Sequence, residues 1–327
     1  MTGQALGLDP GSWYLAAQGL SPQTRIVLGG AASQARNWFI SNDSLFKRMG
    51  QLRISEPAGS QDALQAWGRG YGWQTRADLD EIRYRDDYRG FNLGADRSWT
   101  LPQGQLSTGL FIGAGISERG IECSPGDARS ELTSSGVYVS QLYRSGWYLD
   151  AVMQVGHYKN TISSANDLGP VRGEYGNTGY GASLEVGRQI PLAGQWFVEP
   201  QVRGSFVHFG GSAYATNQDL AVQLDGADDY DIRAGARLGQ DLALADGFLQ
   251  PYLSFMYGRS WMTGGGLSLA DGSYRTQTGR NSERYELGAG MAWQAGANQQ
   301  FFIDCSYTHA DTYDVPWQIT LGYRLSW

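Results

Sequence analysis

Apolar and polar positions alternate along most of this chain. In residues 317–327 (WQITLGYRLSW) the alternation is unbroken. Trp317, Ile319, Leu321, Tyr323, Leu325 and Trp327 share one face, and Gln318, Thr320, Gly322, Arg324 and Ser326 share the other. Side chains of a strand repeat every two residues, so this is a strand with one apolar face and one small, polar face. The pattern recurs from Ala63 onward. Leu110, Ile112, Ala114 and Ile116 oppose Gly109, Phe111, Gly113 and Gly115. Leu149, Ala151, Met153 and Val155 oppose Asp150, Val152, Gln154 and Gly156. Ala182, Leu184 and Val186 oppose Ser183, Glu185 and Gly187, and Tyr285, Leu287, Ala289, Met291 and Trp293 oppose Glu286, Gly288, Gly290 and Ala292. A β-sandwich buries bulky apolar residues and exposes charge. Glycine with scattered charge makes a poor core and a good lumen, so the apolar faces are read as turned outward, toward lipid.

Punctuation sets the strand count. Short turns fall at Pro102–Gln105, Arg144–Gly146, Leu192–Gln195, Ala245–Gly247 and Ala295–Asn298. Longer polar segments lie between them, at Asp78–Asp87, Gly120–Glu131, Ser163–Gly173, Gly210–Asp219, Thr263–Arg280 and Ala310–Asp314. Short and long connections alternating define about twelve up-and-down strands, the outer-membrane plan with short turns on the periplasmic side. Trp99, Trp147, Trp196 and Trp293 each stand beside a short turn and Trp327 ends the chain. Tryptophan prefers the membrane–water boundary, so these residues are read as an interfacial girdle. Arg97 has lipid-face parity beside Trp99, close enough to the boundary to snorkel. Pro200 and Pro251 fall at equivalent points of two strands, and the sequence offers no account of their missing ladder donors.

The segment ahead of the strands differs. Residues 31–53 follow Gly29-Gly30, lack proline, and place Ala32, Ala35, Phe39, Leu45, Met49 and Leu52 at helical spacings. Some twenty residues at about 1.5 Å each reach about 30 Å, a membrane thickness. The segment is too polar for lipid. Twelve strands about 4.8 Å apart and tilted about 40° make a backbone circle about 24 Å across, leaving a bore of about 10–12 Å, the width of one helix. The expected fold is therefore all-β: a twelve-stranded antiparallel transmembrane β-barrel over 63–327, with an N-terminal α-helix, 31–53, inside the pore.

Composition narrows the alternatives. No run of about 18 apolar residues exists, which excludes a spanning helix and says nothing of barrel strands. The net charge of −7 comes without a basic stripe, which argues against nucleic acid as a partner. Two cysteines, Cys123 and Cys305, are too few for a disulfide framework. Cys305 shares a face with Phe301 and Ile303 and is read as lipid-facing, and Cys123 sits in a polar loop. No cationic start followed by an apolar core opens the chain, so it is expected to be the C-terminal piece of a longer precursor.

Several segments resemble the translocator β-domain of autotransporters of the type V secretion pathway, nearest the pertactin-like group. They are FNLGADRSW (Phe91–Trp99), GWYLDA (Gly146–Ala151), YGASLEVGR (Tyr180–Arg188), WFVEPQ (Trp196–Gln201), LQPY (Leu249–Tyr252), RYELGAG (Arg284–Gly290) and the closing LGYRLSW. KRMGQLR (Lys47–Arg53) resembles the end of that family's pore helix. The resemblance covers about residues 25–327. It implies an outer-membrane translocator of a Gram-negative bacterium that carries an N-terminal passenger to the cell surface and anchors it, with residues 1–30 as the passenger's end. It also implies insertion by the barrel assembly machinery, for which Tyr323, Leu325 and Trp327 form the C-terminal signal, and a monomeric state. Some relatives cut an Asn-Asn pair in the helix. The matching positions here are Asp43 and Ser44, so that cleavage is not expected.

Catalytic and metal chemistry find little support. His157, His208 and His309 each lie near a strand end, Ser183 lacks a nucleophile elbow, and the glycine runs at Gly176–Gly181 and Gly264–Gly266 do not join a strand to a helix. No catalytic site, metal or cofactor is expected. The inward charges are the candidates: Asp96, Asp150, Glu185, Glu199, Asp241, Glu286 and Asp304 against Arg69, Arg203, Arg233, Arg237 and Arg324. They either hold Lys47, Arg48 and Arg53 of the helix, docking it as a plug, or pair with one another and stiffen the wall. Both readings stay open on sequence alone. The rival to a translocator is a free-standing porin or adhesin-type outer-membrane barrel.

Overall fold

The computed structural model describes residues 22–31, 34–52, 63–79, 82–122, 126–164, 170–270, 274–277, 281–296 and 298–327. Twelve long strands form the wall. They are β1 (Ala63–Leu79), β2 (Ile82–Leu101), β3 (Gly104–Ile121), β4 (Gly126–Tyr143), β5 (Trp147–Ser164) and β6 (Val171–Arg188), then β7 (Trp196–Phe209), β8 (Ala227–Gln240), β9 (Gly247–Gly264), β10 (Ser282–Ala295), β11 (Gln299–Ala310) and β12 (Tyr313–Ser326). Each pairs antiparallel with its sequence neighbours, and β12 returns to β1 with Leu321 opposite Gly70, so the barrel closes and no long edge remains. Two helices lie inside, α1 (Pro22–Ala31) and α2 (Gln34–Leu52).

The two-residue period fixes which side is which. Leu110 (61%), Met153 (64%) and Leu253 (63%) are exposed on the outer surface, whereas Asp304 (1%) and Arg203 (5%) are buried inside. Large exposed apolar residues and sealed charges are the inverse of a soluble protein, and they match a wall with lipid outside and a polar interior. Inner aromatic rings lie over glycines of neighbouring strands: Tyr138 over Gly109, Tyr88 over Gly115, Tyr148 over Gly187. A β-carbon at any of these glycines would overlap the ring.

The prolines find their explanation in the ladder. On the β6 side, β7 pairs from Gly187↔Gln201 upward, and the short strand Ile190–Pro191 pairs with Val198 and Phe197, leaving Glu199 and Pro200 in the gap. Pro251 sits in the same kind of gap, between Gly239↔Tyr252 and Leu242↔Leu249. Each proline stands where the neighbouring strand is interrupted, so no donor is missed on that side.

Two expectations need correction. The polar segments Asp78–Asp87 and Gly120–Glu131 are largely strand rather than loop, with β1 and β2 paired as far as Leu79↔Ile82 and β3 and β4 as far as Gly120↔Asp127. Above the apolar band the outward side chains become charged, as at Arg85, Asp87, Glu118 and Arg129, so the composition mimics a loop while the alternation persists. The segments Gly210–Asp219 and Thr263–Arg280 likewise contribute to a separate four-stranded sheet, formed by Ser212–Ala215, Ala221–Leu224, Gly266–Leu269 and Tyr274–Gln277. Leu220, Val222, Leu267 and Leu269 of this region are buried in one cluster with Ile26, Val27 and Leu28 of α1. The sheet thus roofs the outer mouth. Tyr214 stacks on Tyr175 of β6 at 4.9 Å, and burial, then Tyr175, pushes the Tyr214 phenol up.

Candidate functional site

The site is the filled lumen. α2 enters between two unlike walls. On one side Trp67, Phe111, Tyr138 and Val152 receive Leu45 and Phe46 in a buried cluster, and Trp38 packs with Tyr158, Val207 and Phe209. Tyr71, Trp73 and Tyr88 form a stack, the Trp73–Tyr88 centroids 4.1 Å apart at 6°. Trp73 Nε1 donates to Asn37 Oδ1 of the helix at 3.2 Å, and Ser41 Oγ donates to Tyr71 Oη at 3.3 Å.

On the other side the contacts are ionic. Lys47 Nζ lies 2.6 Å from Asp304, 3.3 Å from Glu286 and 3.2 Å from Asp43, one helical turn earlier. Asp43 in turn meets Arg203 at 2.6 Å and Arg233 at 3.2 Å. Arg203 Nε donates to Glu185 at 2.8 Å, and its guanidinium lies 4.1 Å from the Phe46 ring centroid. Arg233 also holds Asp231 at 2.9 Å, and Arg284 binds the same carboxylate. Each charge in this network is nearly sealed from solvent and paired, and Lys47, Asp43, Arg203, Arg233, Asp231 and Glu286 each meet two or more opposite charges, the condition under which buried ions are tolerable. A cavity of about 110 Å³ remains beside the helix, lined in part by Arg36, Asp229, Arg284 and Gln318.

Of the residues singled out by sequence, Lys47, Glu185, Arg203, Glu286 and Asp304 converge directly or through Asp43, together with Arg233. Arg237 and Glu199 make a longer pair at 3.8 Å. Arg69 lies against the helix through Ser44 Oγ (2.9 Å) and is steadied by Asn92. Asp96 accepts from Tyr138 Oη at 2.5 Å, Asp150 from Ser140 Oγ at 2.5 Å, and Arg324 donates to Gln65 at 3.1 Å. These three sit on the inner wall. Asp241 keeps inward parity, since Gly239↔Tyr252 and Leu242↔Leu249 share one register that sets it opposite the buried Gln250, from which it accepts at 2.6 Å; it is exposed at the turn-side end of the lumen. Arg48 belongs to α2, its side chain lies outside the described residues, and so does all of Arg53 and Cys123.

Trp147, Trp196 and Trp293 are exposed on the outer surface beside the short turns, Trp99 is half-buried there, and Tyr323, Leu325 and Trp327 share that surface. Arg97 lies over the Trp99 ring at 5.5 Å. Cys305 is exposed on the outer face. His208 and His309 pair with Asp228 and Asp314 at the outer strand ends, at 2.7 and 2.6 Å.

Sequence reasoning missed Asp43, Asn37, Asp86 and Arg119. Asp43 carried a signal, since it stands four residues before Lys47 and helical spacing puts the two on one face. Asp86 fell in a segment read as a loop, and Arg119 immediately before another. A helix also covers Pro22–Ala31, almost all of it in the stretch 1–30 read as the end of the passenger.

The family model for the autotransporter β-domain matches residues 66–306. The pertactin autotransporter of Bordetella bronchiseptica is 31% identical over 302 residues, covering 91% of this chain and 32% of that protein. The BrkA autotransporter of Bordetella pertussis is 29% identical over 340 residues, covering 98% and 32%. The chain therefore spans about a third of the length of these relatives. The solved β-domain of the Bordetella autotransporter BrkA superimposes with a TM-score of 0.71 at 27% identity, over 81% of this chain and all of that one. The translocator domain of NalP from Neisseria meningitidis gives a TM-score of 0.63 at 16% identity, over 89% and 97%, a likeness of fold alone.

Proposed function

The chain belongs to the autotransporter β-domain family, a Gram-negative outer-membrane barrel, and on that premise we propose that it carries an N-terminal passenger to the cell surface, anchors it, and is then sealed by its own helices. In this reading residues 1–30 are the passenger's end and linker, 31–53 the pore helix, and 63–327 the translocator. The observation that carries it is the Lys47–Asp43 network, which ties a polar helix to four strands of the wall, β7, β8, β10 and β11, through Arg203, Arg233, Glu286 and Asp304. A free-standing porin has no use for such a plug. The work is transport and anchoring, without catalysis. Lipid, the passenger and the barrel assembly machinery are the partners, and the barrel acts as a monomer.

Planar-bilayer conductance tests the seal. The intact chain is expected to stay largely closed, and a chain lacking residues 22–52 to open to a pore of about 10 Å bore. Equal conductance of the two refutes the plug, and a high conductance of the intact chain favours the porin. The passenger also stays attached at this point of the helix, because Asp43 and Ser44 stand where an Asn-Asn pair would be cut and Asp43 is held by two arginines and a lysine. Mass spectrometry of the expressed precursor is expected to find no free barrel beginning at residues 43–45.

A further inference from the structure

The outer half of the lumen holds a second anchorage that the Lys47 network does not touch. The last carbonyls of any helix lack intrahelical partners and carry partial negative charge. At the end of α1 two of them are met by one guanidinium: Arg119 Nη1 donates to Gly29 O at 2.6 Å and to Gly30 O at 2.9 Å. Tyr175 Oη donates to Gly30 O at 3.3 Å. Arg119 is itself 1% exposed and is seated by Asp86 (3.4 Å) and Ser117 (3.2 Å). Asp86 is fully buried and also accepts from Asn37 of α2 at 3.0 Å, so one carboxylate touches both the first turns of α2 and the group that caps α1. The glycines let this cap close. A β-carbon at Gly30 would lie 2.8 Å from the Ile162 side chain, and one at Gly29 would press on Ile121.

We propose that Arg119, seated by Asp86, is a positioning residue that halts the exported chain with Gly29 and Gly30 at the outer end of the lumen, a docking station separate from Lys47. The halt rests on the translocator reading, whereas the docking itself does not. A polypeptide sliding outward offers carbonyls at every residue, but an α-helix satisfies all of them except those of its last turn. Arg119 can therefore grip only where α1 ends. Two charge-assisted hydrogen bonds to backbone oxygens depend little on the side chains passing by, and the glycine pair supplies the fit. The apolar face Ile26, Val27 and Leu28 then meets the roof formed by Leu220 and Leu267.

Thiol protection in the full chain tests this. In a background with Cys123→Ser and Cys305→Ser, a reporter is placed at Val27→Cys in α1 or at Ser41→Cys in α2, and modification by a membrane-impermeant maleimide is timed in reconstituted vesicles. Both reporters are expected to be protected in the parent. Arg119→Gln is expected to speed modification of the Val27→Cys thiol at least about tenfold, since hydrogen bonds from a charged donor are lost, while the Ser41→Cys thiol keeps its protection. Arg119→Lys restores part of the protection, because an ammonium still donates to carbonyls. Tyr175→Phe, which leaves the guanidinium in place, is expected to give a smaller change. Should Arg119→Gln fail to fold, seen as loss of the heat-stable barrel band, Arg119→Lys and Tyr175→Phe carry the test. Unchanged protection at Val27→Cys across the folded variants, or equal loss at both reporters, overturns the proposal. Failure of a fused passenger to reach the surface with α1 still protected in the parent strikes the translocator reading instead.

Discussion

The lumen wall is built from two unlike halves. Strands β1–β6 turn the rings Trp67, Tyr71, Trp73, Tyr88, Tyr138 and Tyr158 inward, with charges such as Arg69, Asp86, Arg119 and Glu185 set among them, and strands β7–β12 turn the charged cluster Arg203, Asp231, Arg233, Arg284, Glu286 and Asp304 inward. The aromatic half supplies area and shape. Its rings need empty ground opposite, and the inward glycines give it. Dispersion and area burial are nondirectional, so the rings by themselves hold a helix without fixing its register closely. The charged half supplies register. Lys47 has one position at which Asp304, Glu286 and Asp43 all lie within 3.3 Å, and a shift of the helix by one residue would take Lys47 off Asp304 and Glu286 and Asp43 off Arg203 and Arg233. One wall makes α2 stay; the other decides where.

Breaking the charged half should cost most. Lys47→Met leaves Asp304 and Glu286 buried beside an apolar chain, and removing one member of a buried ionic network typically costs about 3–5 kcal/mol. The measurable outcome is a pore that opens frequently in planar bilayers, with the barrel itself still heat-stable. A plug as quiet as the parent's would show that packing alone sets the register. The aromatic half should respond less. Gly109→Ala drives a methyl into the Tyr138 ring, and overpacking of this kind costs about 1–3 kcal/mol. The thermal midpoint of the barrel in detergent should fall, whereas the Lys47-dependent closure stays intact. The smallest effect belongs to the outer surface. Glu118 lies 3.1 Å from Arg129 and 3.4 Å from Arg89 with all three side chains exposed, so Glu118→Gln should change stability by no more than about 1 kcal/mol, and less in high salt. Together the three order the molecule from sealed charge, through packed aromatics, to wet ion pairs.

The contrast between the halves also explains what was legible in advance. Strand parity places Asp304, Glu286, Glu185 and Arg203 on the inner wall from the sequence alone, because a two-residue period leaves them no other side. Parity cannot say which of them meet, since partners such as Arg203 and Asp43 stand 160 residues apart in sequence. Nor does it give accessibility: Asp241 keeps inward parity opposite Gln250, yet it is exposed at the turn-side end of the lumen. Asp86 and Arg119 went unread for a different reason. Their strands continue beyond the apolar band, and once the outward residues become charged the composition no longer separates strand from loop.

Alternation of apolar and polar residues, interrupted by short turns, determined that this chain is a barrel facing lipid, because a second face of glycine with scattered charge lines a lumen and the aromatic girdle beside the short turns marks a membrane boundary. The helical spacing and polarity of residues 31–53 determined that the helix belongs in the lumen rather than in lipid. Only the tertiary structure decided that α1 sits beneath a roof of four short strands, that Asp43 bridges Lys47 to two arginines, and that Arg119 closes on Gly29 and Gly30. Those contacts depend on the stagger of strands around a closed circle and on the depth to which a helix is drawn, and neither quantity is written in any local stretch of residues.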